Sequence, residues 1–435
     1  MYKLSKFTFH VLNSSNEMLL YNTLVGKRSL CKLPCCISDI EKLNSSINNE
    51  NNYERLTMPL IERGLVVEES EDENRKLYEN FLSNISPTNL TLHINPTENC
   101  NFRCKYCYES FSQGPMTLDV QKDIVAFIRQ NIHEYTGLHI SWFGGEPLMA
   151  VDCIRYLSKE FMGICKYYRI PYSSGITTNG YLLNQNLFNE LLDMNIKKYQ
   201  ITVDGIKDIH DKQRVTVNNS DTYAKILENL HHIHLNNRKD FEILIRTNIT
   251  KEIFERLDEY IDALENICQN DSRFTVSFFK VGNWLGKANE TILPKIIDNL
   301  DEMQYVYDKL LNSKFSGRIN FSMYYPGNAS CYAGKRNMFL IRANGNVHKC
   351  TVNFEQPESQ VGKLYHGKLN LNEKYYSNII DINNCNSFYN CFFAPICMGT
   401  PCPTDKKRGC PYTKDYLGVS LKILDKNYPL ELIKM

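Results

Sequence analysis

The chain has 435 residues, 43% hydrophobic and 23% charged, and its 50 basic and 49 acidic side chains leave a net charge of +1. That balance removes the electrostatic case for nucleic acid or an anionic membrane surface as a partner. No apolar run reaches the roughly 20 residues a bilayer span needs, and the opening MYKLSKFTFHVLNSSNE has no signal-peptide core. A cytoplasmic address is therefore expected, and there sixteen cysteines point to metal or redox chemistry rather than to disulfides.

Residues 1–88 read as a small α+β module. FTFHVL and MLLYNTL alternate as a hairpin around Asn13–Asn16. SDIEKLNSSI and YERLTMPLIERGLV read as helices, the second ending at Gly64. LVVEE is a short strand before a charged helix across Glu71–Asn84, and Ser86-Pro87-Thr88-Asn89 reads as a linker.

Residues 89–315 alternate strand and helix. TLHINPT, LHISWFGG, YSSGITTNG, KKYQITVDG, FEILIRTNIT and FTVSFFKVG read as strands, with amphipathic helices between them. Repeated βα units call for a parallel sheet with outer helices. Right-handed crossovers curl six such units into a partial (β/α)6 TIM-like barrel of the α/β class. Its chemistry is expected at the C-terminal ends of the strands. Residues 316–435 differ: NMFLIRA, NVHKCTV and VGKLY are short strands, and Cys, Pro and Gly crowd the 385–412 stretch. Such a composition suits a Cys-rich cluster-binding domain, in which metal replaces a hydrophobic core.

Cys100-Asn-Phe-Arg-Cys104-Lys-Tyr-Cys107 follows directly on the first strand of the barrel, where a loop can aim three thiolates at one point. Three thiolates match three irons of a cubane and leave the fourth iron open to the amino and carboxylate groups of a methionine. Zinc also accepts C-x2-C spacing, but a structural zinc takes four ligands. No Cys or His follows at a normal distance, and His93 on the preceding strand is poorly placed.

The C-x3-C-x2-C spacing, with aromatic Tyr106 before the third cysteine, resembles the radical S-adenosylmethionine (SAM) superfamily. Gly144-Gly145-Glu146-Pro147 after the second strand is similar to that family's GGEP motif, whose glycines let backbone approach a ligand. Thr178-Asn179-Gly180 resembles its TNG, and Thr202-Val203-Asp204-Gly205 its S-x-D-G with the hydroxyl retained. The resemblance implies SAM contacts from Tyr106, Gly144, Gly145, Glu146, Pro147, Thr178, Asn179 and Thr202. Arg214 is a candidate for the SAM carboxylate or for a surface salt bridge, and Asp204 and Gly205 for a turn. Arg246 and Asn248 end the fifth strand on the catalytic face, with Asn248 a further candidate contact.

Seven later cysteines resemble the SPASM extension found on such enzymes. Cys331, Gly345 and Cys350 match its first half; Cys385, Cys391, Cys397, Cys402 and Cys410 follow its second half with wider spacings, and Phe388 stands where a nearer cysteine is usual. The resemblance implies two auxiliary [4Fe–4S] clusters beside the SAM-binding one. Cys331, Cys350 and Cys402 would hold the first, and Cys385, Cys391, Cys397 and Cys410 the second. Seven thiolates are one short of two full sets, so the first has an open iron or a borrowed ligand. Two zinc knuckles are the competing reading. Cys153, Cys165 and Cys268 lie in predicted helices and read as small buried apolar residues. Cys31, Cys35 and Cys36 are unassigned.

The implied chemistry is one-electron cleavage of SAM to a 5′-deoxyadenosyl radical, fed by a donor such as flavodoxin or ferredoxin. The N-terminal module is similar to the recognition domains of peptide maturases, so a precursor peptide is the expected partner, docked as an added strand. A thioether or carbon–carbon crosslink in a ribosomally made peptide is the favoured outcome. An anaerobic sulfatase-maturing enzyme that makes formylglycine from Cys or Ser is the second reading, and a non-catalytic iron–sulfur or zinc scaffold that binds peptide is the third.

Overall fold

The computed structural model describes residues 1–37, 39–282, 293–296, 300–313, 321–379, 381–399 and 410–433. The chain divides into two compact units that are not contiguous in sequence. One is Met1–Ser86 with Tyr307–Lys335 and Ile380–Met435; the other is Pro87–Val306 with Arg336–Ile379.

In the first unit, β1 (Tyr2–Leu4) pairs antiparallel with β5 (Val66–Glu68), and β2 (Thr8–Leu12), β3 (Met18–Asn22) and β4 (Cys31–Leu33) form an antiparallel sheet. The hairpin turns at Asn16, whose positive φ of 56° suits asparagine. Helix Ile40–Ile47 is capped by Asp39, whose side chain accepts from the Lys42 amide. Asp72 does the same for helix Glu73–Ile85 through the Arg75 amide. The expected helix before Gly64 begins as a π-helical turn over Tyr53–Thr57 and becomes α-helical only at Met58–Glu62. This module packs against the cysteine-bearing segment. Leu19 and Tyr21 share a core with Phe393, Ile396 and Leu417, and the Phe81 and Phe388 rings meet edge to face at 5.6 Å. The Tyr21 hydroxyl donates to the Tyr324 carbonyl at 2.6 Å.

The second unit is built on a ten-stranded sheet. Its strands β6 (Asn89–Ile94), β8 (Gly137–Trp142), β9 (Tyr172–Thr178), β10 (Ile196–Thr202), β12 (Glu242–Ile249) and β13 (Phe274–Lys280) are parallel sequential neighbours. Two three-residue strands lie outside it: β7 (Phe102–Cys104) and β11 (Arg214–Thr216) pair antiparallel. Strict burial alternation along β12 sends every second side chain under the outer helices. Thr117 and Asn184 cap the helices Leu118–Asn131 and Gln185–Asp193, so the crossovers start where the sequence places them. This is the partial barrel expected from the alternation.

Beyond the six βα units it also has the short strands expected in NMFLIRA, NVHKCTV and VGKLY, with one more after them. β14 (Met338–Ile341) adds parallel to the free edge of β6, and β15 (Asn346–His348), β16 (Gln360–Tyr365) and β17 (Lys368–Leu371) continue antiparallel from it. Residues 336–379 thus extend the large sheet, because the apolar run Met338–Ile341 covers an edge that would otherwise leave backbone groups unpaired. Among the described residues, no helix is long and apolar enough to cross a membrane.

Candidate active site

The cysteine loop leaves β6 and is pinned by its short strand β7, which pairs with β11 so that Cys104 lies opposite Arg214. Cys100, Cys104 and Cys107 line one cavity of about 260 Å³ at the C-terminal ends of the parallel strands. The Phe102 amide donates to Cys100 Sγ at 3.4 Å. Burial pushes the Cys100 thiol up to about 12, with the Glu146 carboxylate adding to it, and burial raises Cys104 and Cys107 as well.

Tyr106 is held through its side chain. Its phenol donates to Asp204 Oδ2 and receives Arg214 Nη1 at 2.5 Å and Asn248 Nδ2 at 3.2 Å. The Asn248 amide donates to Asp204 Oδ1 at 2.7 Å, and Arg214 and Asp204 form an ion pair at 3.6 Å. Arg214 is therefore an interior residue, 5% exposed, and not part of a surface salt bridge. Asp204 is more than a turn residue: it is fully buried, and its amide donates to His210 Nδ1 at 3.1 Å. Burial raises the Asp204 carboxyl, while Arg214 and Tyr106 oppose that rise.

The Gly144-Gly145-Glu146-Pro147 turn makes the opposite wall. Gly144 and Gly145 have φ of +84° and +49°, and a Cβ would fall 2.3 Å from Asn95 Cγ or 2.2 Å from the Asn99 carbonyl oxygen. Only glycine fits both positions. The Gly145 amide donates to Glu109 Oε2 at 2.8 Å, and burial raises the Glu109 carboxyl to about 7. Glu146 is wholly buried and ties two strand ends together: it accepts from Thr178 Oγ1 at 2.7 Å, the Asn179 amide at 2.7 Å and the Leu148 amide at 3.0 Å. Its carboxylate is thus committed to protein donors. Pro147 starts the next turn, 147–150. Thr178, Asn179, Thr202, Arg246 and Asn248 line the same cavity, as do Gln200 and Lys280, which sequence reasoning passed over. Tyr108 Oη donates to the Thr351 carbonyl at 3.0 Å, joining the loop to the segment after Cys350.

These residues fit an open-sited iron–sulfur cluster with a chelated amino acid beside it. Three thiols, a glycine cradle without Cβ atoms, and Arg214 Nε, buried with no hydrogen-bond partner, all belong to one unit.

Of the auxiliary candidates, Cys385, Cys391, Cys397 and Cys410 lie in the first unit. Burial raises Cys397 to about 12, with Cys391, Cys385 and Cys410 near enough to add to that rise. Lys414 Nζ stands 3.6 Å from Cys391 Sγ and over the Phe392 ring, a cation that spacing did not suggest. Of the other set, Cys331 lies in the first unit and Cys350 in the second, where the Val352 amide donates to Cys350 Sγ at 3.3 Å; Cys402 falls outside the described residues. Cys153, Cys165, Cys268 and Cys31 are buried, and Cys35 and Cys36 are exposed.

Residues 94–272 match the radical SAM superfamily. A cysteine-type anaerobic sulfatase-maturating enzyme of Clostridium novyi (strain NT) is 27% identical over 362 residues, which is 74% of this chain and 90% of that protein. A GTP 3′,8-cyclase of Aliarcobacter butzleri (strain RM4018) is 31% identical over 143 residues, 32% of this chain and 41% of its own length. The structure of native anSMEcpe with bound AdoMet and Cp18Cys peptide aligns with a TM-score of 0.57 at 15% identity, over 78% of this chain and 97% of that one. Streptococcus suis SuiB bound to precursor peptide SuiA aligns with a TM-score of 0.50 at 16% identity, over 93% of this chain and 98% of that one. At these identities the two structures share a fold with this chain.

Proposed function

Residues 94–272 being a radical SAM domain, we propose that this enzyme is a peptide maturase that cleaves SAM reductively and modifies a ribosomally made peptide through a thioether or carbon–carbon crosslink. The observation that carries the reading is the convergence of Cys100, Cys104 and Cys107 with Gly144 and Gly145 on one cavity at the strand ends. When bound there, the cluster and SAM supply a 5′-deoxyadenosyl radical able to take a hydrogen atom from an unactivated carbon.

The chain's own residues position and exclude. The glycine turn admits a ligand's polar end to the backbone, Glu146 fixes the Thr178 and Asn179 strand end, and the Arg214–Tyr106–Asp204 set holds the cysteine loop against β11. Phe111, Phe143 and Val281 contribute apolar wall that limits water beside a reactive radical. Cys385, Cys391, Cys397 and Cys410 are proposed to hold an auxiliary cluster that accepts the electron left by bond formation. The first unit, with its small sheet, is proposed to recognise the peptide. Support comes from the coverage of the SuiB fold, 93% of this chain, against 78% for the anSMEcpe fold.

The second reading, a sulfatase-maturing activity, is favoured by the Clostridium novyi relative, which is matched over 90% of its length. Mass spectrometry separates the two. A precursor peptide that loses a pair of hydrogens with reductant-dependent 5′-deoxyadenosine formation supports crosslinking. Replacement of a cysteine thiol by an aldehyde oxygen in a sulfatase-derived peptide supports the second reading and contradicts the first.

A further inference from the structure

The sheet β2–β3–β4 ends at β4, and its outer edge is not open. Lys32, in the middle of β4, donates its amide to the Glu431 carbonyl at 2.9 Å and receives the Ile433 amide on its own carbonyl at 3.0 Å. Leu432 thereby bridges Lys32 in parallel register. The segment Leu430–Ile433 lies on this edge as one more short strand, in the manner by which extended peptides bind sheet edges.

The side chains of the segment alternate as an added strand requires. Ile433, 4% exposed, enters the core formed by Met18, Leu20, Cys31 and Leu33. Glu431 points the same way along the edge and pairs with Arg63, which is 18% exposed and also donates to the Pro59 carbonyl. Leu432 between them faces out, 37% exposed. A short tether presents the segment: the Leu430 amide donates to Asp425 Oδ1 at 3.0 Å, and Asp425 in turn faces Lys32. Ile433 in this core, Leu430 against the neighbouring core of Leu19, Tyr21 and Leu421, one ion pair whose Glu431 side is solvent-exposed, and two backbone hydrogen bonds make the whole attachment. It also spells a recognition pattern: an acidic residue opposite Arg63 and a branched aliphatic residue two positions later.

We infer that Leu430–Ile433 is an internal competitor strand at the β4 edge, displaced when the substrate peptide docks there with an acidic–x–aliphatic sequence of its own. The inference rests on the reading of the first unit as the peptide-recognition unit. It adds that the edge is self-occupied, that Arg63 and the Ile433 pocket select the peptide, and that engagement is coupled to release of the segment.

The test uses the full chain and a labelled peptide of the chain's own sequence, acetyl-YPLELIKM, as probe. Fluorescence anisotropy is read for the wild type and for the double variant Glu431→Lys, Ile433→Asp, whose edge is freed. The probe is expected to bind the variant at least about tenfold more tightly than the wild type, and to lose that gain when Arg63→Glu is added. Equal binding to both chains, or binding to neither, overturns the inference. Hydrogen exchange on the unaltered chain gives a reading independent of how well the variant folds. The Lys32 and Ile433 amides are expected to exchange by local opening, at least about tenfold faster than the β3 amides. Exchange at the β3 rate makes the segment an integral strand and overturns the inference. Neither measurement involves SAM, so a failure here leaves the peptide-maturase reading to its product assay.

Discussion

Arg214 Nη1 meets Tyr106 Oη at 2.5 Å, so the aromatic residue before the third cluster cysteine is anchored to the cation that pairs with Asp204. The pairing is fixed twice, because the backbone of Arg214 is also opposite Cys104 in the β7–β11 ladder. Stability and cofactor position are therefore linked at one buried point. Arg214→Ala leaves the fully buried Asp204 carboxylate without its cation, which costs about 3–5 kcal/mol when one partner of a buried pair is removed. Urea unfolding is expected to show that loss, and Asp204→Asn in the same background to recover part of it. An unchanged midpoint for Arg214→Ala contradicts the assignment.

The two cradle glycines differ in what a side chain would strike. At Gly145 the added Cβ meets the Asn99 backbone oxygen at 2.2 Å, while at Gly144 it meets the Asn95 side-chain amide. A side chain can rotate away and a carbonyl beside the cluster loop cannot. Gly145→Ala is thus expected to slow 5′-deoxyadenosine formation by about a hundredfold and Gly144→Ala by less. Equal effects in a SAM-cleavage assay count against the cradle.

The two cysteine sets separate by function. Cys104→Ala is expected to abolish SAM cleavage and lose one cluster's share of iron while retaining auxiliary iron. Cys410→Ala is expected to retain uncoupled SAM cleavage and block product. Unchanged 5′-deoxyadenosine from Cys104→Ala, or full product from Cys410→Ala, refutes the respective role.

His210 gives a pH signature. Burial lowers its pKa to about 3, with Arg214 adding to that, while its Nδ1 accepts the Asp204 amide as a neutral imidazole. The unfolded chain takes up this proton near about pH 6.5 and the folded chain does not. Stability from this group is full above that value and falls by up to about 1.4 kcal/mol per unit as pH drops toward 3. Between pH 7.5 and 5.5, His210→Asn is expected to flatten the decline in denaturation midpoint relative to the parent, and parallel slopes contradict the neutral, buried imidazole.

What could be read from the sequence was whatever local spacing encodes. The Cys100–Cys107 loop, the glycine turn and six βα strands each carry their signal within a few residues, and all reappear on one unit of the structure. Partnerships across long separations were not legible. β7 and β11 are three residues each, too short to alternate, so the ladder that buries Arg214 left no pattern. Asp204 looked like a turn residue because Val203-Asp204-Gly205 is also turn chemistry; its burial depends on Asn248 and Tyr106 from elsewhere. The paired hydrogen bonds of Arg342 to Glu98, both at 2.7 Å, tie β14 to the cysteine loop across 244 positions, and no window of sequence reveals that.

The most direct measurement is anaerobic reconstitution of the full chain with iron and sulfide, followed by iron quantification and assay of reductant-dependent 5′-deoxyadenosine. The account predicts iron bound as [4Fe–4S] clusters and SAM cleavage that disappears with Cys104→Ala. Zinc in place of iron, or no cleavage of SAM by the reconstituted chain, would contradict it.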